Sequence, residues 1–205
     1  GAPIQNIGAY GVEIKDIFIS CSGYFLDTNE KKKFKLNDCQ FSYRSSIFKK
    51  SLKNKFIITE VVLQLSKTNH KIKKSYKSIN DALNRKKIQN PTIKDISRIV
   101  SKIRENKLPN PSLIGNSGSF FKNPIVSIEL LNKLKQKFSK LVYFKDSVSK
   151  YKLSAAWLIE NCNFKNIEEK NVGVYKNQAL VIINLGNATG KDILLFCLLY
   201  TSPSP

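Results

Sequence analysis

Apolar positions recur at helical spacing in several stretches. After Thr92, residues Ile93, Ile96, Val100 and Ile103 fall on one face. Thr92 with Asp95 forms the capping box that starts such a helix. Pro109 and Pro111 end it, because proline neither donates to a helix nor fits inside one, and they mark a domain boundary. Ile128, Leu131, Leu134 and Phe138 predict a second helix. Ser154 to Asn161 predicts a third, with Trp157 as a core residue, and Thr189 with Asp192 opens a last one. Between these lie strand-like segments. Ile17-Phe18-Ile19 is short and apolar. Phe56 to Leu65 is rich in β-branched residues, puts Val61, Leu63 and Leu65 on one face, and closes a first sheet. Ala179 to Asn184 reads as a buried strand. Lys31-Lys32-Lys33 reads as an exposed hairpin tip, and Lys67 to Lys77 as a lysine-rich loop.

The 205 residues suffice for one large or two small domains with a real core, at 41% apolar and 24% charged. The formal charge of +20 suggests a polyanion partner at first. Its distribution changes that picture. Only Arg44, Arg85, Arg98 and Arg104 are arginines, and the lysines scatter along the chain beside Asn and Ile. We read this as compositional drift towards AT-rich codons rather than a nucleic-acid interface. Cys21, Cys39, Cys162 and Cys197 show no CxxC spacing, which points to a reduced cytoplasmic protein. The single histidine, His70, sits in the lysine-rich loop, so a histidine-based metal site or catalytic triad is not expected. The apolar run Leu194 to Tyr200 is far shorter than the ~20 residues of a membrane span, and no signal sequence is evident. The chain begins inside a motif, at Gly1, and ends in Thr201-Ser202-Pro203-Ser204-Pro205. It is expected to be an internal piece whose residues 196–205 are foreign.

Candidate chemistry concentrates in Gly115-Asn116-Ser117-Gly118-Ser119-Phe120-Phe121-Lys122-Asn123-Pro124. Two glycines let the backbone turn tightly and approach a ligand. The Ser119 hydroxyl can donate or accept, and two phenylalanines can exclude water. Taken alone, so short a motif reads first as an ordinary polar loop. Residues 2–13 carry glycines that would let a flat ring lie on bare backbone, or would simply make a turn. Arg44, set among aromatics, offers a planar fork for a carboxylate, or a structural ion pair.

These stretches together resemble one family. Ala2-Pro3-Ile4-Gln5-Asn6-Ile7-Gly8-Ala9-Tyr10-Gly11-Val12-Glu13, Cys39 to Lys49, the central Gly115 motif and Ala155-Ala156-Trp157-Leu158-Ile159-Glu160 occur in the order found in the UDP-N-acetylenolpyruvoylglucosamine reductases. Those are flavoenzymes of bacterial peptidoglycan synthesis. The resemblance implies an α+β chain. Residues 1–108 would be the C-terminal part of an FAD-binding domain, and 109–195 most of a smaller substrate-binding domain. Pro3, Ile4, Gln5, Asn6, Gly8, Ala9, Tyr10 and Gly11 would hold the isoalloxazine of FAD. Arg44 would meet the substrate carboxylate, and Ser119 would donate a proton. Tyr76, Lys107, Asn123, Lys165 and Gln178 would bind UDP-N-acetylglucosamine enolpyruvate, with Tyr76 as the mobile tyrosine of the family's larger type. Arg44 and Ser119 would then face one cleft from different domains. NADPH would be the reductant, no metal, nucleic acid or membrane would be involved, and the protein would be a monomer.

The chain departs from the family in three ways. Ser117 stands where alanine is common in the motif. The family's catalytic glutamate is expected C-terminal of Pro205, and the N-terminal FAD lobe ahead of Gly1, so the chain alone is expected to be inactive. Two rival functions remain. One is a lysine-rich nucleic-acid-binding module, which needs a contiguous basic face. The other is a different oxidoreductase of the same flavoprotein superfamily, which needs the Arg44 and Ser119 motifs to be coincidental.

Overall fold

The computed structural model describes residues 1–73 and 76–199. These divide into two compact units, one spanning Gly1–Val100 and the other beginning at Ser101.

In the first unit, strands β1 (Gly8–Ala9) and β2 (Val12–Glu13) form a minimal hairpin. A three-stranded antiparallel sheet follows, built from β3 (Phe18–Phe25), β4 (Lys31–Lys35) and β5 (Phe56–Leu63), with β3 in the middle. Its core is aromatic. Phe18, Phe34, Phe48 and Phe56 are buried with Cys21 and Cys39, and Phe34 meets Phe48 and Phe56 edge-on at centroid distances of 5.3 and 5.1 Å. That geometry sets a ring's positive edge on its neighbour's negative face. The two cysteines are free thiols inside this core. They hydrogen-bond each other, and that bond together with burial pushes the Cys39 thiol well above its ordinary range. Helix α1 (Lys77–Arg85) buries Ile79, Ala82 and Leu83, and α2 (Ile93–Lys107) buries Ile99.

The second unit holds two small sheets. One is ordered β10-β11-β12-β6, from β6 (Gly115–Ser119), β10 (Glu168–Glu169), β11 (Val172–Val174) and β12 (Val181–Asn184). The other is ordered β7-β9-β8, from β7 (Ile125–Ser127), β8 (Tyr143–Lys145) and β9 (Lys150–Leu153). Helices α3 (Ile128–Lys137), α4 (Ala155–Asn161) and α5 (Gly190–Leu199) complete it. Ile159, Val172, Val174, Ala179, Ile182, Phe196 and Cys197 form one core, and Leu131, Leu141 and Leu153 another.

The capped helices appear where the pattern puts them. Thr92 and Asp95 exchange backbone and side-chain bonds, as do Thr189 and Asp192, and Lys107 is the last helical residue before Pro109. Several details differ from expectation. On α2 the fully buried position is Ile99, whereas Ile93 is half exposed. Lys31-Lys32-Lys33 belongs to β4, and the turn lies at residues 26–29, where Asn29 donates to the Phe25 carbonyl. In β5 the buried end is Phe56; Val61 and Leu63 remain substantially exposed and Leu65 lies beyond the strand. Trp157 is half-buried, at the margin of the Leu131 cluster and against Phe138. Helix α5 carries Phe196 and Cys197 into the core, while residues 200–205 of the suspected tail lie outside the described residues.

Two tests follow from this packing. Ile182→Ala, at a site 1% exposed, should cost about 2–5 kcal/mol in urea unfolding, the usual effect of deleting buried methyl groups into a cavity. Asp192 accepts bonds from the Thr189 hydroxyl and backbone N–H, which hold its carboxyl below its ordinary value. A depressed carboxyl contributes stability that is fully present above the unfolded chain's carboxylate range and is lost as pH falls through the lowered value. Asp192→Asn should therefore be less stable than the parent at neutral pH. The gap should close on acidification when the two are compared by urea titration.

Candidate active site

Asn6 organises the first candidate site. It is fully buried, so each of its amide atoms needs a partner. Its Nδ2 donates to Glu13 Oε2 and to the Ser42 carbonyl, both at 3.0 Å, and its Oδ1 accepts from the Lys15 backbone at 3.1 Å. The residue has a positive φ of 41°, a region that Asn tolerates better than most side chains. Three chain segments are thereby joined. The Gly8–Glu13 hairpin turns through Tyr10 and Gly11, both at positive φ, 53° and 80°. That is the backbone signature of the tight turn which matches the natural twist of two strands.

Arg44 projects from a similar tight turn, in which Ser42 and Ser45 exchange backbone hydrogen bonds, and has φ 50°. Its Nη2 donates to the Gly8 carbonyl and its Nη1 to the Asn6 carbonyl. Glu13 Oε1 lies 3.9 Å from Nη1, and the guanidinium sits over the Tyr43 ring at 5.2 Å. Both charged side chains are about one quarter exposed, 29% for Arg44 and 24% for Glu13. One side of the guanidinium is thus fixed by the glycine hairpin. Nearby, Tyr76 packs edge-on against Tyr10 at 5.1 Å, and Lys73 donates to the Gly11 carbonyl at 3.0 Å.

The Gly115 stretch was expected to be a loop. Its first half is instead a strand, because β12 offers a hydrogen-bonding edge that a Gly-Ser sequence can fit. Ser119 pairs with Val181 and Asn116 with Ile183, with a bulge between. Gly118 absorbs that bulge at φ 63°, and its N–H donates to Asn116 Oδ1 at 3.0 Å. Ser119 is left exposed at the end of β6, beside Phe120, whose N–H donates to the Leu180 carbonyl at 2.9 Å. A bulge commonly re-aims a side chain next to a functional site.

The remaining candidates fall out differently. Pro3 is buried, and the Ile4 carbonyl accepts from Ser46 Oγ at 2.8 Å. Gln5 is exposed and accepts from Lys49 at 2.8 Å. Asn123 Oδ1 accepts from the Ala155 N–H at the start of α4, so its carbonyl end serves the fold. Lys165 pairs with Glu160 at 3.3 Å. Lys107 is exposed at the end of α2, and Gln178 is half-buried in the turn that enters β12. Among the described residues no three His, Cys, Asp or Glu side chains gather as a metal site, and no helix is long and apolar enough to cross a membrane. Glu13 carried no role in the sequence reading. Its signal was an acid two residues beyond Gly11, intelligible only once Arg44 and Asn6 are seen around it.

Residues 110–198 match the family described as UDP-N-acetylenolpyruvoylglucosamine reductase, C-terminal domain. A curated UDP-N-acetylenolpyruvoylglucosamine reductase from Flavobacterium johnsoniae is 49% identical over 192 residues, 94% of this chain and 57% of the relative. Residues 110–198 carry the C-terminal domain of that family. A reductase of the same name from Pseudomonas fluorescens Pf0-1 is 42% identical over 193 residues, 94% of this chain and 56% of that one. The chain thus spans a little over half the length of these reductases. A crystal structure of the reductase from Thermus caldophilus aligns with a TM-score of 0.60 at 18% identity, covering 98% of this chain and 55% of the other. That likeness confirms the α+β fold.

The hairpin's shape suits the flat, apolar-faced ring that the family uses. Nothing lies within 4 Å of the position a Cβ would take on Gly11, and Ile7 and Val12 are 50% and 42% exposed beside it. A cavity of about 700 Å³ adjoins, lined by Ala9, Tyr10, Val12 and Ile17 with Ile79 and Ile96. Gly8 is crowded. A Cβ there would meet the Val12 carbonyl oxygen at 2.6 Å and Glu13 Cγ at 2.7 Å. Gly118→Ala, with open space but left-handed backbone, should cost about 1–2 kcal/mol. Gly8→Ala should cost more than Gly118→Ala, because hairpin backbone and the Glu13 stem would both have to move. Chemical unfolding of the two variants checks the order.

Proposed function

We propose that this chain serves the reduction of UDP-N-acetylglucosamine enolpyruvate to UDP-N-acetylmuramate, in a protein of the relatives' length. Residues 1–108 act as part of an FAD-binding domain and residues 109–198 as most of a substrate-binding domain, whose core takes in Phe196 and Cys197 beyond the expected limit at 195. When bound, FAD reduced by NADPH supplies a hydride to the enolpyruvyl double bond. Arg44, held by the Gly8 and Asn6 carbonyls, binds the substrate carboxylate and stabilises the negative charge that develops there. Ser119 delivers a proton to C2, the carbon left carbanionic after hydride addition at C3. A serine is a weak acid in water, but a carbanionic carbon within hydrogen-bonding reach is a strong base, so position compensates for acidity. Lys107 and Lys165 neutralise the diphosphate, Gln178 and Asn123 add polar contacts, and Tyr76 closes over the substrate. Pro3 to Gly11 shape the backbone against which the ring lies, Asn6 through its internal bonds. The reaction belongs to cell-wall synthesis and hence cell division, in the cytoplasm, carried out by a monomer.

The observation that carries this reading is the bond from Arg44 to Gly8. It ties the carboxylate-binding fork to the hairpin that would lie under the cofactor. The other lysines, scattered along the chain, add surface charge and play no part in the chemistry.

Two half-reactions separate the roles. Flavin reduction by NADPH needs no proton at substrate C2, so Ser119→Ala should leave it nearly unchanged. Reoxidation by the enolpyruvyl substrate should slow at least ~10²–10⁴-fold, as for loss of a positioned general acid. Arg44→Ala should slow reoxidation and also weaken substrate binding. Stopped-flow absorbance of the flavin reads both steps, and parental reoxidation by Ser119→Ala would make Ser119 an ordinary strand residue.

A further inference from the structure

We infer that Glu13 is the positioning residue for Arg44. This rests on the function proposed above. The carboxylate reaches the arginine by two routes. Its Oε1 stands 3.9 Å from Nη1, a distance at which attraction is Coulombic rather than a hydrogen bond. Its Oε2 takes the tighter bonds, from Asn6 Nδ2 at 3.0 Å and Lys15 Nζ at 2.9 Å. The Asn6 bond sets the orientation of a fully buried amide, and the backbone carbonyl of that same residue accepts from Arg44 Nη1. Glu13 is also part of the hairpin, where it faces Gly8 across the strand pair, and the Gly8 carbonyl is the other acceptor for Arg44.

Among the described residues, each acceptor on the guanidinium is therefore either Glu13 itself or the carbonyl of a residue that Glu13 contacts, Asn6 through a side-chain bond and Gly8 across the strand pair. The crowding at Gly8 shows how tightly this is built, since the Glu13 stem lies where a Cβ on Gly8 would be. A negative charge close to an arginine normally competes with an incoming carboxylate. At 3.9 Å and partly solvated, Glu13 competes weakly. Its contribution is geometric. It presents the free side of the fork in one orientation, and a small misplacement of a positioned group costs rate without abolishing binding.

The test is a double-mutant cycle in the flavin-loaded protein, at the relatives' length. Glu13→Ala should slow substrate reoxidation of the flavin by about tenfold or more and leave NADPH reduction within about twofold. Glu13→Gln, which can still accept from Asn6, should recover most of the rate. In an Arg44→Ala background, Glu13→Ala should have less than about a twofold further effect, because the group it positions is gone. Should Glu13→Ala fail to fold, Glu13→Asp replaces it. That variant keeps the charge, withdraws it one methylene from Asn6, and should show the same loss and the same non-additivity. The flavin absorption envelope and substrate titration by flavin quenching supply readouts independent of turnover. Parental reoxidation by both Glu13→Ala and Glu13→Asp, or an effect that multiplies undiminished with Arg44→Ala, overturns the positioning role. If Arg44→Ala itself reoxidises at the parental rate, it is the proposed function that fails.

Discussion

A buried amide must have its hydrogen bonds met inside the protein, and much of the first unit follows from meeting those of Asn6. With no water to turn to, its donors must find Glu13 and Ser42 and its acceptor must find Lys15. This constraint brings together three segments, the last of them 36 residues from Asn6 in the chain. They are the glycine-rich start, the hairpin's second strand and the Ser42–Ser45 turn. Arg44 emerges from that turn already aimed at the Asn6 and Gly8 carbonyls. The aromatic core of the same unit sets Phe34 edge-on to both Phe48 and Phe56, which stack on each other.

The second unit solves a different problem. A Gly-Ser segment has little apolar surface with which to hold itself in place. Strand β12 does the holding. Val181, Ile182 and Ile183 are buried, and their backbone pairs with β6 on one side and β11 on the other. The bulge at Gly118 then lets the strand depart from strict alternation just before Ser119. Ser119 is thereby carried on a sheet edge fixed by its neighbours, and the left-handed backbone is confined to Gly118.

Much of this was legible in the chain. Thr92 with Asp95 and Thr189 with Asp192 announce helix starts through local bonds between residues three apart, and local bonds are what sequence reports best. The helical spacing of Ile128, Leu131 and Leu134 likewise requires only one element. The resemblance of the glycine, arginine and serine stretches to a known family was specific because four separate blocks kept their order. What misled was exposure. Val61, Leu63 and Leu65 look like a core face by their alternation, yet all three are exposed and Leu65 lies beyond the strand. Ile99 outranks Ile93 because the neighbours of α2, and not its own periodicity, decide which flank is covered.

The sequence by itself determined the α+β class, the capped helices and the likeness to one family, since each of these depends on residue type and short-range spacing. Only the tertiary structure decided that Gly115–Ser119 is a strand, that the side chain of Asn6 serves the fold, and that Glu13 stands behind Arg44. The reason is physical. These properties depend on partners distant in sequence, and a backbone edge, a buried amide and a guanidinium each accept whichever partner the folded chain delivers.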